Sequence, residues 1–246
     1  VNDVVDDTWI SRDLTLVAVS PAFYRPGPGA PDTCRVCGAL DLPPEEDHWE
    51  VPAGLGEFLA AGTPPVYMTF GSLLPHHPDR RRETVAVLAG AARRAGCRAV
   101  IQVFPQDLAH LPGDRRIAFV PFLPHGAVLP HCRAAVHHGG AGTTHAACRA
   151  GIPAVVVAHV IDQLFWGREL NRLGVGPRPL HRNALTEGRL ARRLEAVLGD
   201  AAMARRARAL GARMRTEDGA HRAIALVEAL GRPGTAPPRP PLAVGD

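Results

Sequence analysis

The sequence predicts an α/β fold, a doubly wound parallel sheet of about six strands with helices on both faces. Three observations predict it. Short β-rich apolar runs recur at 65–72, 98–103, 116–120, 133–138, 153–159 and 175–180. Stretches with apolar residues at helical spacing separate many of them, as in "DRRRETVAVLAGAARRAG" at 79–96. The chain has 246 residues, 46% of them hydrophobic and 21% charged, enough to close a core of ordinary domain size.

Taken in order, "DLTLVAVS" (13–20) reads as a buried strand ended by Pro21. "RPGPGAPD" cannot hold regular structure and reads as a linker. The linker continues to residue 62, with a short helical piece at Leu55–Ala61. The regular part opens with "PVYMTFGS" (65–72), a strand that runs into Gly-Ser. A helix at 79–96 with a Gly stop follows, then strands at "RAVIQV" and "RIAFV". "RAAVHH" (133–138) is a strand followed at once by a Gly-rich turn and a helix through Ala150. "PAVVVAH" (153–159) precedes the amphipathic helix "QLFWGRELNRLG", and "VGPRPL" (175–180) is a short sixth strand. Helices close the chain at Gly188–Leu198, Ala201–Arg215 and Gly219–Leu230. The tail 232–246 is Pro-rich and reads as disordered.

Charge and cysteine content narrow the function classes. All 28 basic residues are Arg, the formal charge is +4, and the arginines scatter along helices. With aromatics at 5%, base-stacking surfaces are scarce, so a nucleic-acid partner is not expected. No apolar run approaches the roughly 20 residues that span a bilayer. The opening "VNDVVDDTWISRD" lacks the apolar core of a signal peptide, so the expectation is a cytoplasmic protein. The first residue is Val, as in a fragment of a longer protein. Five cysteines without a secretory signal predict no disulfides. Cys34 and Cys37 form a C-x-x-C, but only His48 lies near as a further ligand, so no metal site is expected.

Ligands of parallel sheets bind beyond the carboxyl ends of the strands, which places the chemistry just after Phe70, Val120, Val136 and Val157. "HHGGAGTTHAACRAGIP" (137–153) leaves one of those ends and opens a helix. Its glycines let the backbone approach a ligand, and helix amides and dipole favour an anion. Thr143 and Thr144 add hydroxyl donors. The same residues fit a tight strand-to-helix turn with no ligand equally well. His137 and His138 are strand neighbours, so their side chains point to opposite faces and cannot easily share a metal. Asp162 and Gln163 follow the next strand; an Asp-Gln pair suits sugar hydroxyls, and Asp162 alone suits a helix N-cap.

In combination, "FGS", "VPFLPH", "HHGGAGTTHAACRAGIP" and "DQLFWG", in this order and spacing, resemble the donor-binding half of inverting UDP-glycosyltransferases of GT-B fold. The nearest branch is the bacterial natural-product and sterol glycosyltransferases. The resemblance covers roughly Leu14 to Leu230, and includes an interdomain stretch at 38–72. It implies a Rossmann-like C-terminal domain at 63–231, preceded at 1–62 by the last strand of an acceptor domain and the linker.

The resemblance also implies roles. Ser72, His138, Gly140, Gly142, Thr143 and Thr144 would hold the diphosphate. Phe122, Leu123 and His125 would line the base, Leu123 through its backbone. Asp162 and Gln163 would hold the sugar hydroxyls, with Trp166 packed behind them. The donor would be a UDP- or dTDP-sugar, with no cofactor and no metal. The acceptor, a small lipophilic or natural product, would sit in the missing N-terminal domain, which also supplies the base; no catalytic residue is assigned in this chain. Two departures matter: Ala146 stands where a ribose-binding Glu occurs, and Ala158-His159-Val160-Ile161 replaces the branch's P-F-F-G. They leave UDP against dTDP, and the sugar, open. His145 reads as a helix-surface residue. A non-catalytic nucleotide-sugar-binding subunit and a GT-B epimerase or hydrolase are the alternatives.

Overall fold

A computed structural model describes residues 10–40, 52 and 54–230. In chain order its elements are β1 (Thr15–Val17), β2 (Cys34–Val36), α1 (Leu55–Ala60), β3 (Val66–Thr69), α2 (Pro78–Arg94), β4 (Ala99–Gln102), β5 (Ile117–Val120), α3 (His125–Val128), β6 (Ala134–His137), α4 (Ala141–Ala150), β7 (Ala154–Ala158), α5 (Ile161–Arg172), β8 (Leu180–His181), α6 (Glu187–Gly199), α7 (Ala201–Met214) and α8 (Gly219–Leu230). His48 and the tail at 232–246 lie outside the described residues. The chain divides into two compact units, residues 1–43 with 216–246, and residues 44–215.

The first unit holds β1, β2 and α8. β1 pairs in parallel with β2, Thr15 opposite Cys34 and Val17 opposite Val36. β1 is shorter than the run at 13–20 predicts, and it is half-buried rather than buried. β2 forms within the stretch that the sequence predicts to be linker. The Cys37 thiol is engaged with the Val17 and Gly38 carbonyls at 3.6 and 3.5 Å. Ser20 donates to Glu217 at 2.7 Å, tying the strand pair to the turn before α8. The sequence reading carries the donor domain on through 231, whereas α8 groups here with residues 1–43.

The second unit is the six-stranded sheet, in the order β5-β4-β3-β6-β7-β8, every neighbouring pair parallel. The chain starts in the middle at β3, winds outward through β4 and β5, then returns to β6 on the other side. That reversal leaves a switch point between β3 and β6, where helices depart to opposite faces and a crevice opens. Alternation along the strands decides the two faces. Val66, Met68, Phe70, Val136, Val155, Val157 and Leu180 share one core with α2 and α6 residues such as Leu88, Leu190 and Leu194. Tyr67, Ala135 and Val156 point the other way, toward the side of α4, α5 and α7. Strands buried on both faces explain why the sequence shows continuous apolar runs.

The sixth strand is shorter than predicted. Only Leu180 and His181 pair with β7. Pro177 and Pro179 lack the N–H that a ladder needs, so the run at 175–180 cannot extend along its neighbour.

Candidate functional site

At the switch point Thr69 on β3 pairs with His137 on β6. The turns that follow them, 70–74 and 138–140, therefore face each other across the crevice. The first turn is pinned from below. The Thr69 hydroxyl, 2% exposed, donates to Gln102 at 2.8 Å and accepts from the Gly71 N–H at 3.0 Å. The Tyr67 hydroxyl reaches the same Gln102 oxygen at 2.9 Å. This network fixes the short helical turn Gly71–Leu73, on which Ser72 is exposed.

The second turn is anchored by the histidine with no predicted role. His137 is fully buried, and its Nδ1 accepts from the Gly139 N–H at 3.0 Å. That bond places the ring proton on Nε2, which has no partner among the described residues. Burial pushes its pKa down to about 3, with His138 and His125 adding to the shift. His137 is therefore neutral, and it holds the Gly-rich turn in shape. Gly139 sits at φ +92°, and a Cβ there would lie 2.7 Å from Val156 Cγ1 and 2.9 Å from the Gln163 carbonyl. Only glycine fits.

His138 lies half-buried over the crevice. A Cβ on Gly140 would meet its Nε2 at 2.4 Å, and one on Gly71 its Cε1 at 3.6 Å. The ring thus spans from the β3 turn to the start of α4. Its Nδ1 is buried without a partner among the described residues. Burial lowers its pKa, and Asp162 opposes the shift.

Gly140 caps α4 with no side-chain hydrogen bond, and Gly142 has open space where a side chain would be. The first amides of α4 thus lack a side-chain cap. Thr143 is partly exposed beside them, whereas Thr144 is fully buried and its hydroxyl donates to the Gly140 carbonyl at 2.8 Å. Thr144 thereby braces the helix rather than facing the opening.

The next strand end is built differently. Val160, not Asp162, is the N-cap residue of α5. The Gln163 Oε1 reaches back to accept from the His159 and Val160 N–H groups at 2.7 and 3.3 Å. Gln163 is 5% exposed, so its acceptor is engaged in capping while Asp162 is exposed on the first turn. Val160 and Ile161 are exposed on the rim, the latter 86%. Trp166 is half-buried, edge-on to His145 at 5.6 Å and to Phe165 at 4.9 Å. His145 is not on the helix surface: it is 6% exposed and its Nδ1 lies 2.8 Å from the Ala141 carbonyl.

After β5, Phe122 is 67% exposed and Leu123 is buried. His125 starts α3 with its ring edge-on to Tyr67, at 6.0 Å between centroids. Its Nε2 is buried without a partner among the described residues, and burial followed by His138 lowers its pKa. The structure therefore brings Ser72, His138, Gly140, Gly142, Thr143, His125, Asp162 and Gln163 to one edge of the sheet. Sequence reasoning missed Thr69, Gln102 and His137, which hold the turns from beneath. Among the described residues no group of three or more His, Cys, Asp or Glu is placed to hold a metal ion. A cavity of about 750 Å³ lies at the opposite, amino-terminal end of the sheet, around Arg133, Ile152 and Arg208. It contains none of these residues; in a parallel sheet, backbone amides and helix starts converge at the carboxyl end.

Residues 99–229 match the family described as Erythromycin biosynthesis protein CIII-like, C-terminal domain. The chain belongs to that family. An uncharacterized glycosyltransferase of Mycobacterium leprae is 40% identical over 179 residues, 73% of this chain and 40% of that protein. The O-mycaminosyltylonolide 6-deoxyallosyltransferase of Streptomyces fradiae is 36% identical over 213 residues, 87% of this chain and 49% of the relative. The chain thus spans about half the length of the curated relatives it matches. A solved spinosyn rhamnosyltransferase complexed with thymidine diphosphate superposes with a TM-score of 0.64 at 25% identity, covering 89% of this chain and 56% of that one. The fold is the C-terminal domain of a GT-B glycosyltransferase, and in this CIII-like domain the Gly-rich turn leaves the switch-point strand. No helix among the described residues is long and apolar enough to cross a membrane.

Proposed function

We propose that the chain is the nucleotide-sugar-binding half of an inverting glycosyltransferase that acts on a hydroxyl of a small lipophilic natural product. One observation carries the reading most: the Gly140–Thr143 helix start, bare of any side-chain cap, stands at the switch point beside His138. Uncapped amides and the helix dipole favour an anion there. A nucleoside diphosphate is the anion that fits a family whose related structure is complexed with thymidine diphosphate.

In this reading Ser72, His138, Gly140, Gly142 and Thr143 receive the diphosphate. Phe122, Leu123 and His125 line the base, which is uracil or thymine. Asp162 accepts from sugar hydroxyls, the Gln163 amide N–H donates to them, and Trp166 supports that turn. The displacement inverts the anomeric carbon in one step while a base takes the acceptor proton. The diphosphate gains negative charge as it leaves, and the fixed amides and Thr143 hydroxyl meet that charge without reorganising and without a metal. We assign the base to an acceptor-binding half, as the resemblance to inverting glycosyltransferases implies.

The test is binding and product analysis with UDP- and dTDP-sugars. The expected result is binding without sugar transfer by residues 1–246 alone, with transfer appearing when an acceptor domain is supplied. Epimerised or rapidly hydrolysed donor would favour the epimerase or hydrolase, and binding that never leads to transfer would favour the non-catalytic subunit.

A further inference from the structure

The donor site has little formal positive charge where a leaving diphosphate needs it. The chain contains no Lys. His138 is pulled toward its neutral form by burial, and so is His159, whose pKa is pushed down to about 4. The segments that leave the carboxyl ends of β3, β6, β7 and β8 are 70–74, 138–144, 159–163 and 182–184. In them, Arg182 is the one permanently cationic side chain. Arg81, on the first turn of α2, is buried and bound through Nε and Nη2 to both carboxylate oxygens of Asp107, so its charge is already met.

Arg182 is aimed at the crevice although it comes from the far edge of the sheet. Its guanidinium donates to the Leu73 carbonyl at 3.3 Å, one residue beyond Ser72. The path runs on the α2 and α6 side, where Phe70, His159 and Arg182 continue the alternation of the core strands. The His159 ring stands edge-on to Phe70, 5.0 Å between centroids, and both its nitrogens are buried. Arg182 and His138 both act on His159 electrostatically, which places the three in one cluster. A guanidinium carries five N–H donors in a rigid fork suited to phosphate oxygens, and Leu73 engages only one of its edges.

Resting on the reading of a donor site, we propose that Arg182 is the cationic counter-charge for the diphosphate, with its fork on the phosphate oxygens and its Leu73 bond holding it in place. Arg182 then does at the β3 turn what the bare α4 amides do at the β6 turn, and the leaving charge is clamped from both sides of the switch point.

The experiment is calorimetric titration of the wild-type chain, Arg182→Gln and Arg182→Lys with UDP, dTDP, uridine and thymidine, in chelator, with thermal melts of each protein. Arg182→Gln should weaken diphosphate binding about 10- to 100-fold, the range for losing a hydrogen bond to a charged group, and leave nucleoside binding unchanged. Arg182→Lys should recover a large part of the loss. Undiminished diphosphate affinity in Arg182→Gln would overturn the proposal and leave the donor site standing. So would equal losses for nucleoside and diphosphate, or a Lys variant as weak as Gln; these assign Arg182 to bracing the Leu73 turn. A wild-type chain that binds no nucleotide would instead overturn the donor-site reading itself.

Discussion

Two helices start at the same edge of the sheet, one strand apart, and they are built in opposite ways. α4 begins at Gly140 with no side-chain cap, an open position at Gly142 and a partly exposed Thr143. α5 begins at Val160, and the Gln163 amide oxygen covers its first N–H groups. The first start leaves its dipole available to a ligand. The second satisfies itself internally and presents Asp162, Val160 and Ile161 outward. Helix dipoles are the same in both, so the difference lies in the caps. The open start suits an anion, and the closed one suits neutral hydroxyls and an apolar neighbour.

The largest effect on this contrast should come from Gly139. Gly139→Val places a side chain at φ +92°, against Val156 and the Gln163 carbonyl. Strain of about 1–3 kcal/mol and overpacking of about 1–3 kcal/mol should add, so both helix starts move together. A melting temperature close to wild type would show that the two turns are not packed as described.

Acid should act next. In the folded chain burial favours the neutral forms of His137, His138 and His159. Unfolded histidine titrates near 6.5, so between about pH 3 and 6.5 the unfolded chain binds more protons. Stability is then full above about pH 6.5 and is lost as pH falls toward 4 and 3. Denaturant melts from pH 7 to 4 should show the decline, and His137→Asn, which keeps an acceptor for the Gly139 N–H, should flatten it. A pH-independent midpoint would contradict the buried neutral histidines.

Three smaller changes separate the helix starts. Thr143→Val should weaken diphosphate binding by about 1–3 kcal/mol, the cost of a hydrogen bond to a charged group. Gln163→Ala should lower stability by about 0.5–2 kcal/mol through loss of the cap. Asp162→Ala should leave the melt unchanged and reduce nucleotide-sugar affinity while sparing the free nucleotide. Equal calorimetric losses for both ligands would remove Asp162 from the sugar site.

What the sequence reveals of this arrangement follows from the range of the forces involved. The alternation of strands and helices is local, and β3 to β7 lie within the runs that periodicity predicts. The turn at 137–144 is also local, because glycine, strand end and helix start are adjacent. The assignments that fail need a partner distant in sequence or a side chain that turns back. Cys34–Val36 becomes a strand only because Thr15–Val17 lies beside it. His145 is buried because Trp166 on another helix covers it. Gln163 caps its own helix, which a dipeptide motif does not disclose. Arg182 enters the crevice from the far edge of the sheet, through a contact 109 residues away in sequence.

The most direct test of the open helix start is calorimetric titration of the chain with UDP and dTDP, against uridine and thymidine, with and without chelator. The account predicts that one of the diphosphates binds in chelator as well as it does without it. Its nucleoside should bind at least about tenfold more weakly, since only the diphosphate meets the charged hydrogen bonds. A nucleoside that binds as tightly as its diphosphate, or binding that disappears with chelator, would contradict a metal-free anion cradle at Gly140–Thr143.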